Sequence, residues 1–148
     1  MAAALLLCMV VGITDGDTIK ARCGAPGAYQ QVTVRLAAID APERRQPFGV
    51  ASRQHLAALC FENPARISPR TKDRYGRMVA DVSCDGRDAG ADMVASGMAW
   101  VFERYATPGD AHLRRLQSDA RAARSGLWSD PAPIEPWEWR HGVHSTRK

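Results

Sequence analysis

With 148 residues, 45% of them hydrophobic and 24% charged, the chain is long enough for one domain whose core needs no metal to fold. It contains no apolar run long enough to cross a bilayer as a helix. Twenty basic against sixteen acidic residues give a net charge of +4 and an isoelectric point near 9.1, which favours a polyanionic partner; with no basic run, basic tail or internal repeat, such binding has to reside in a defined site.

Residues 1–7 are apolar like the end of a signal peptide, but lack a basic start and leave little room for cleavage before Cys8. They are either a signal-peptide remnant or the opening strand. Apolar or alternating runs at residues 9–13, 18–22, 31–38, 65–68 and 78–83 predict five strands. Between the first two, Asp15-Gly16 is the pair expected in a two-residue hairpin turn. A first helix is expected over 49–61 with Val50, Ala57, Leu59 and Cys60 inward. A second, over 88–96, has Gly97 beyond it as a left-handed cap. For the third, Thr107 is the cap, Pro108 suits the first turn and Asp110 completes a box-like pattern. Leu113, Leu116, Ala120 and Ala123 form its inward stripe, and Gly126 ends it. Arg114, Arg115, Arg121 and Arg124 then make a solvated face. Residues 131–148 form a Pro- and Trp-containing tail, extended through Pro136, after a domain over 1–130, with Trp137 and Trp139 placed to dock back on that domain.

The four cysteines, Cys8, Cys23, Cys60 and Cys84, lack the close paired spacing of a zinc site, which leaves disulfides or buried thiols. A turn at Asp15-Gly16 sets Thr14 opposite Asp17 and Ile13 opposite Thr18, and the same register brings Cys8 opposite Cys23. Directly opposed residues in a non-hydrogen-bonded pair lie about 4.5 Å apart at Cα, within disulfide range. Cys60, ending the first helix, then pairs with Cys84, ending the fifth strand. Both bridges imply an oxidising compartment, hence a secreted or periplasmic protein.

Two further groups carry chemistry. Asp40-Ala41-Pro42-Glu43 follows Arg35 by five residues, and Asp73-Arg74-Tyr75-Gly76-Arg77 lies far downstream. Hydrolysis of a phosphodiester needs a cation on its oxygens, a base for water, and donors that strengthen as charge develops. Hard carboxylate oxygens suit calcium or magnesium, and arginine offers a planar fork matched to phosphate. Taken singly, Asp15-Gly16 is only a turn and Arg35 an ordinary exposed strand charge; only the combination points elsewhere. His55, His112, His141 and His144 show no ligand spacing and are expected at the surface or in the tail.

Asp15-Gly16-Asp17-Thr18, Val34-Arg35-Leu36 leading to Ile39-Asp40-Ala41-Pro42-Glu43, Asp73-Arg74-Tyr75-Gly76-Arg77, Gly97-Met98-Ala99-Trp100-Val101 and Gly126-Leu127-Trp128 resemble, in that order, the staphylococcal nuclease family. The ending Pro136-Trp137-Glu138-Trp139-Arg140 is similar to that of small Gram-negative members. The resemblance implies an α+β fold, an OB-type five-stranded barrel with three helices. It also implies calcium-dependent endonuclease activity on DNA and RNA, single strands preferred, leaving 3′-phosphates. By the same resemblance, Asp17, Asp40 and the Ala41 backbone carbonyl hold Ca2+ and Glu43 acts as base. Arg35 and Arg77 stabilise the pentacoordinate phosphorus, and Arg74, Tyr75 and Tyr105 contact the nucleotide. Ala41 stands where the family more often has Thr, which keeps the carbonyl and removes a hydroxyl. Glu103 stands where a stacking Tyr is found, and its carboxylate would repel phosphate. Trp100 and Phe102 are expected in barrel packing. A monomer with no required protein partner is expected. The alternatives are a non-catalytic OB-type module that binds single strands or a protein, and a metal-dependent phosphodiesterase of small nucleotides.

Overall fold

A computed structural model describes residues 5–143. Residues 1–4 of the signal-like segment and His144 lie outside the described residues, while Leu6 and Leu7 belong to the opening strand. Strands β1 (Leu6–Asp15), β2 (Thr18–Cys23), β3 (Gln30–Leu36) and β4 (Ile39–Asp40) precede helix α1 (Gly49–Cys60). Then come β5 (Pro64–Lys72), β6 (Met78–Cys84), β7 (Arg87–Asp88), α2 (Ala89–Ala95) and β8 (Trp100–Val101). A 3-10 turn at Pro108–Asp110 leads into α3 (Ala111–Ala122), another spans Gly126–Ser129, and α4 covers Pro136–Arg140.

The expected strands are β1, β2, β3, β5 and β6, and they close on themselves. β1 pairs antiparallel with β2 and β5, β2 with β3, β5 with β6, and the parallel pairing of β3 with β6 completes the ring. This is an OB-type α+β barrel, with a small β4–β8 ladder at one side. The period-two alternation turns Val10, Ile19, Ala21, Val34, Leu36, Ile67 and Ala80 inward, all essentially inaccessible to solvent. Each buried Val, Leu or Ile contributes about 1.5–3 kcal/mol.

The hairpin turn falls on Gly16-Asp17, one residue later than Asp15-Gly16. Two register shifts in β1, between Val10 and Gly12 and between Ile13 and Asp15, absorb the displacement, so Cys8 still faces Cys23. Such irregularities coil a strand as barrel closure requires. Gly16 is also pressed on α1: a Cβ there would lie 1.8 Å from Ser52 Oγ. Both disulfides form, with Cα–Cα separations of 4.2 Å for Cys8–Cys23 and 5.2 Å for Cys60–Cys84. Loops of this size restrict the unfolded chain by about 3 kcal/mol each.

Two helix faces differ from expectation. α1 turns Ser52, Leu56, Leu59 and Cys60 inward and leaves Val50 exposed, a clean i, i+4, i+7, i+8 stripe out of phase with Val50. Leu113, Leu116 and Ala120 face inward on α3, but the helix stops at Ala122 and Ala123 is exposed. The Thr107–Asp110 capping box is present, and Asp110 does more than cap. Arg70 on β5 donates to both Asp110 oxygens at 3.0 and 2.7 Å and to both Asp81 oxygens at 3.0 and 2.8 Å. That fork ties two barrel strands to the start of α3. The Arg70 hydrogen bonds hold the Asp110 carboxyl well below the usual range although burial opposes them.

The chain after Asp130 is extended only as far as Glu135. Pro136 is buried, Trp137 stacks on Phe102 with centroids 5.4 Å apart and meets Trp100 edge-on, and Trp100 contacts Trp128 at 4.5 Å. Gln46 Nε2 donates to the Ile134 carbonyl at 2.5 Å. α4 is thus a fourth short helix beyond the three expected, seated on the domain; Trp139 is half-buried.

Candidate active site

β3 leaves the barrel at Leu36, and the chain reverses through Ala37 and Ala38. Ala38 adopts φ 65°, a left-handed conformation that costs a non-glycine residue about 1–2 kcal/mol. The reversal is held because Ala37 N donates to Ala80 O at 2.9 Å and Phe102 N donates to Ala38 O at 2.8 Å. It folds Asp40 back over Arg35. Arg35 is not the exposed strand charge of the simplest reading: its side chain is 14% accessible. Nη1 donates to the Leu36 and Ile39 carbonyls at 2.8 and 2.7 Å, while Nη2 lies 3.6 Å from Asp17 and 3.5 Å from Asp40.

Asp17, in the β1–β2 turn, points inward. Its Oδ1 accepts from Thr18 Oγ1 and its Oδ2 from Ala41 N, both at 2.8 Å, which links the turn to the Asp40-Ala41 segment. The Asp40 side chain is 1% accessible. Burial pushes its carboxyl up to about 6 against hydrogen bonds from Arg140, with Asp17 adding repulsion and the charge of Arg35 opposing it. Asp15 is likewise raised by burial, Asp17 and Glu43. Glu43, half-exposed, is positioned through its backbone: its N–H donates to Gln46 Oε1 at 3.0 Å. Its carbonyl lies so close to Gly49 that a Cβ there would sit 1.9 Å away.

A residue with no assigned part in the sequence reading completes the cluster. Arg140, from α4, donates Nη2 to Asp40 Oδ2 at 2.5 Å, and Nη1 to Asp40 Oδ1 at 3.1 Å and to Glu43 Oε1 at 2.7 Å. Burial works against its charge, but the bonds to Asp40 and Glu43 dominate and hold the guanidinium protonated. The only signal in the sequence was its place in Pro136-Trp137-Glu138-Trp139-Arg140. Gln46, whose amide serves both Glu43 and the tail, carried no signal at all.

The structure thus gathers Asp17, Arg35, Asp40, Ala41 and Glu43, with Arg140 over them. Arg74, Tyr75 and Arg77 stand in the β5–β6 hairpin loop, and none bonds to this cluster among the described contacts. Asp73 organises that loop: its Oδ1 accepts from Tyr75 N and Arg77 N, and its Oδ2 from Arg77 Nε at 2.7 Å. Burial tends to raise the Asp73 carboxyl, but these bonds more than offset it and leave it lowered. Arg74 and Arg77 both lie over the exposed Tyr75 ring. In the parallel pairing of β6 with β3, Met78 lies beside Val34 and Val79 beside Arg35, so Arg77 enters β6 just before the level of Val34. Tyr105 is exposed and meets Phe102 edge-on at 5.0 Å, continuing the aromatic row from Trp137. The Glu103 charge is not left bare toward a phosphate, because Arg114 Nε donates to both its oxygens at 2.9 Å. That pairing also gives one arginine of the α3 face a partner. His55 bonds Asp92 at 2.7 Å, and His141 Nδ1 donates to the Trp137 carbonyl.

The family described as Staphylococcal nuclease homologue matches residues 33–130. The chain belongs to the staphylococcal nuclease family. It is 42% identical over 140 residues to a protein named micrococcal nuclease from Shigella flexneri, covering 88% of this chain and 78% of that one. Protein ParB of Escherichia coli is 40% identical over 147 residues, covering 93% and 81%. A protein named uncharacterized endonuclease from Escherichia coli O157:H7 is 41% identical over 133 residues, covering 89% and 83%. The matched family and the nuclease-named relatives make this a nuclease-type hydrolase.

Among the described residues no group of three or more His, Cys, Asp or Glu is disposed to enclose a metal ion. The donor set nevertheless fits a hard divalent cation. Asp17 and Asp40 are buried carboxylates, Asp17 makes the negative charge on Asp40 more costly, and Asp40 and Glu43 already share a positive charge, the Arg140 guanidinium.

Proposed function

We propose that this staphylococcal nuclease family member is a calcium-dependent endonuclease that hydrolyses DNA and RNA, preferring single strands and leaving 3′-phosphates. The observation that supports it most is the convergence of Asp17 and Asp40 on the part-buried Arg35 fork, with Glu43 joined to Asp40 through Arg140. Asp17, Asp40 and the Ala41 carbonyl would hold Ca2+, which when bound supplies electrostatic polarisation of a phosphate oxygen. Glu43 takes a proton from water as the water oxygen attacks phosphorus in line with the 5′-oxygen. The P–O5′ bond breaks, the 5′-oxygen takes up a proton, and the phosphate stays on the 3′ side. Arg35 Nη2 and the Arg77 guanidinium donate to the oxygens on which charge accumulates. Arg74 and Tyr75 contact the substrate backbone, and Tyr105 lies against a base at the end of the aromatic row.

The two disulfides support a secreted or periplasmic location, and the domain at 1–130 carries the chemistry while 131–148 is accessory to it. End-labelled oligonucleotides test the substrate assignment. With calcium, single strands are expected to be cut faster than duplex, with products that resist 3′ extension until a phosphatase removes the terminal phosphate. Products extended without phosphatase, or cleavage confined to dinucleotides, would contradict it; the latter would favour a small-nucleotide phosphodiesterase.

A further inference from the structure

Arg140 has no part in the reaction described above, yet it makes the shortest contacts in the carboxylate cluster. Its fork spans both oxygens of Asp40 and reaches Glu43. Arg35 approaches Asp40 Oδ1, an oxygen that Arg140 Nη1 also holds, at 3.5 Å, and both Asp17 oxygens are engaged by Thr18 and Ala41. We propose that Arg140 is a built-in counter-ion of the metal-binding carboxylates, displaced when a divalent cation binds, so that α4 sets how much cation the nuclease needs. The proposal rests on the calcium reading of Asp17 and Asp40.

Three observations carry it. First, an almost fully buried carboxylate pair is costly without a positive partner, and the guanidinium lies against the oxygens that a divalent cation would use. A dication and a guanidinium on the same carboxylate oxygens repel each other strongly at such short range. Occupancy by one therefore opposes the other. Second, the exchange needs only a side chain to move. Arg140 is 40% accessible, whereas its helix is fixed by buried Pro136, by Trp137 on Phe102, and by Gln46 on Ile134. A tethered side chain returns at high local concentration once the cation leaves. Third, Gln46 joins the two halves of the device, accepting from Glu43 N while donating to Ile134 O. The tail is therefore registered to the loop that carries Glu43. With the guanidinium seated most of the time, the apparent cation affinity is the intrinsic one reduced by the fraction of molecules in which it has swung away.

Isothermal titration of calcium into chelator-stripped protein tests this, with Arg140→Gln, Arg140→Lys and Arg44→Gln beside the wild type. Arg44 is exposed, donates to the Thr14 carbonyl and carries the same charge nearby, so its variant measures general charge loss. Arg140→Gln is expected to bind calcium about tenfold more tightly or better, and Arg140→Lys, a point charge that cannot span two oxygens, to fall between. Arg44→Gln should change the affinity by less than about threefold, as a screened surface charge does. The calcium needed for half-maximal cleavage should fall in parallel. Unchanged or weaker binding by Arg140→Gln, or equal tightening by Arg44→Gln, with the far-ultraviolet dichroism of the wild type retained, overturns the proposal while leaving the calcium reading standing. If the wild type and every variant bind no calcium, both fall together.

Discussion

Arg77→Ala is expected to lower single-turnover cleavage by a factor of about a hundred to a thousand, the roughly 3–4 kcal/mol that removal of one transition-state donor costs. The fold should be untouched, since Arg77 stands in the β5–β6 loop and its pairing with Asp73 is partly exposed. Asp73 keeps its bonds from the Tyr75 and Arg77 backbone, so the loop retains its form. Arg35→Ala should lose as much activity and also stability. The Leu36 and Ile39 carbonyls lose their donor, and Asp17 and Asp40 lose a part-buried positive neighbour. Urea midpoints measured beside cleavage separate the two cases. Turnover like that of the wild type in either variant would contradict the assigned roles.

The largest effect on stability is expected at Arg70. Arg70→Ala leaves Asp110 buried with Thr107 as its remaining side-chain and backbone partner among the described residues, and removing one side of a buried pair costs roughly 3–5 kcal/mol. Arg70 is itself 29% accessible, so a loss of about 3 kcal/mol at neutral pH is expected, the lower end of that range. The pH dependence has a definite sign. Asp110 is depressed below its ordinary value by Arg70, so its stabilisation is present above the usual carboxylate range and disappears as the pH falls through that range and below. The gap between wild type and variant should therefore narrow below about pH 4. A gap that is small at neutral pH, or that widens in acid, would show that the fork does not hold α3 to the barrel.

How much of this could be seen in the sequence depended on how local the cause was. Alternation located all five barrel strands, and the Thr107–Asp110 box located α3, because pleat and cap chemistry act within a few residues. The pairing of Cys8 with Cys23 was legible although the turn was placed one residue early, because two irregularities in β1 restore the register. Sequence spacing cannot show such irregularities, since barrel closure causes them. The phase of α1 was missed at Val50 and Leu56 because a short helix with apolar residues on several sides does not declare which face meets the barrel. In the candidate site, Asp17, Arg35, Asp40 and Glu43 were legible as a set. Arg140 was not, because it reaches Asp40 across a sequence separation of 100 residues through the packing of Trp137. The Glu103–Arg114 pair was hidden for the same reason: two charges read separately on a loop and a helix neutralise each other only once the helix is docked.

The most direct test of a calcium-dependent nuclease with Glu43 as base is cleavage of heat-denatured DNA by the purified protein with calcium, with calcium plus excess chelator, and with Glu43→Gln in calcium. Cleavage is expected in the first case alone, with the chelator abolishing it and Glu43→Gln reducing it to background. Undiminished cleavage in chelator would contradict the metal site at Asp17 and Asp40. Undiminished cleavage by Glu43→Gln would contradict the base, and no cleavage by the folded wild type would contradict the proposed activity itself.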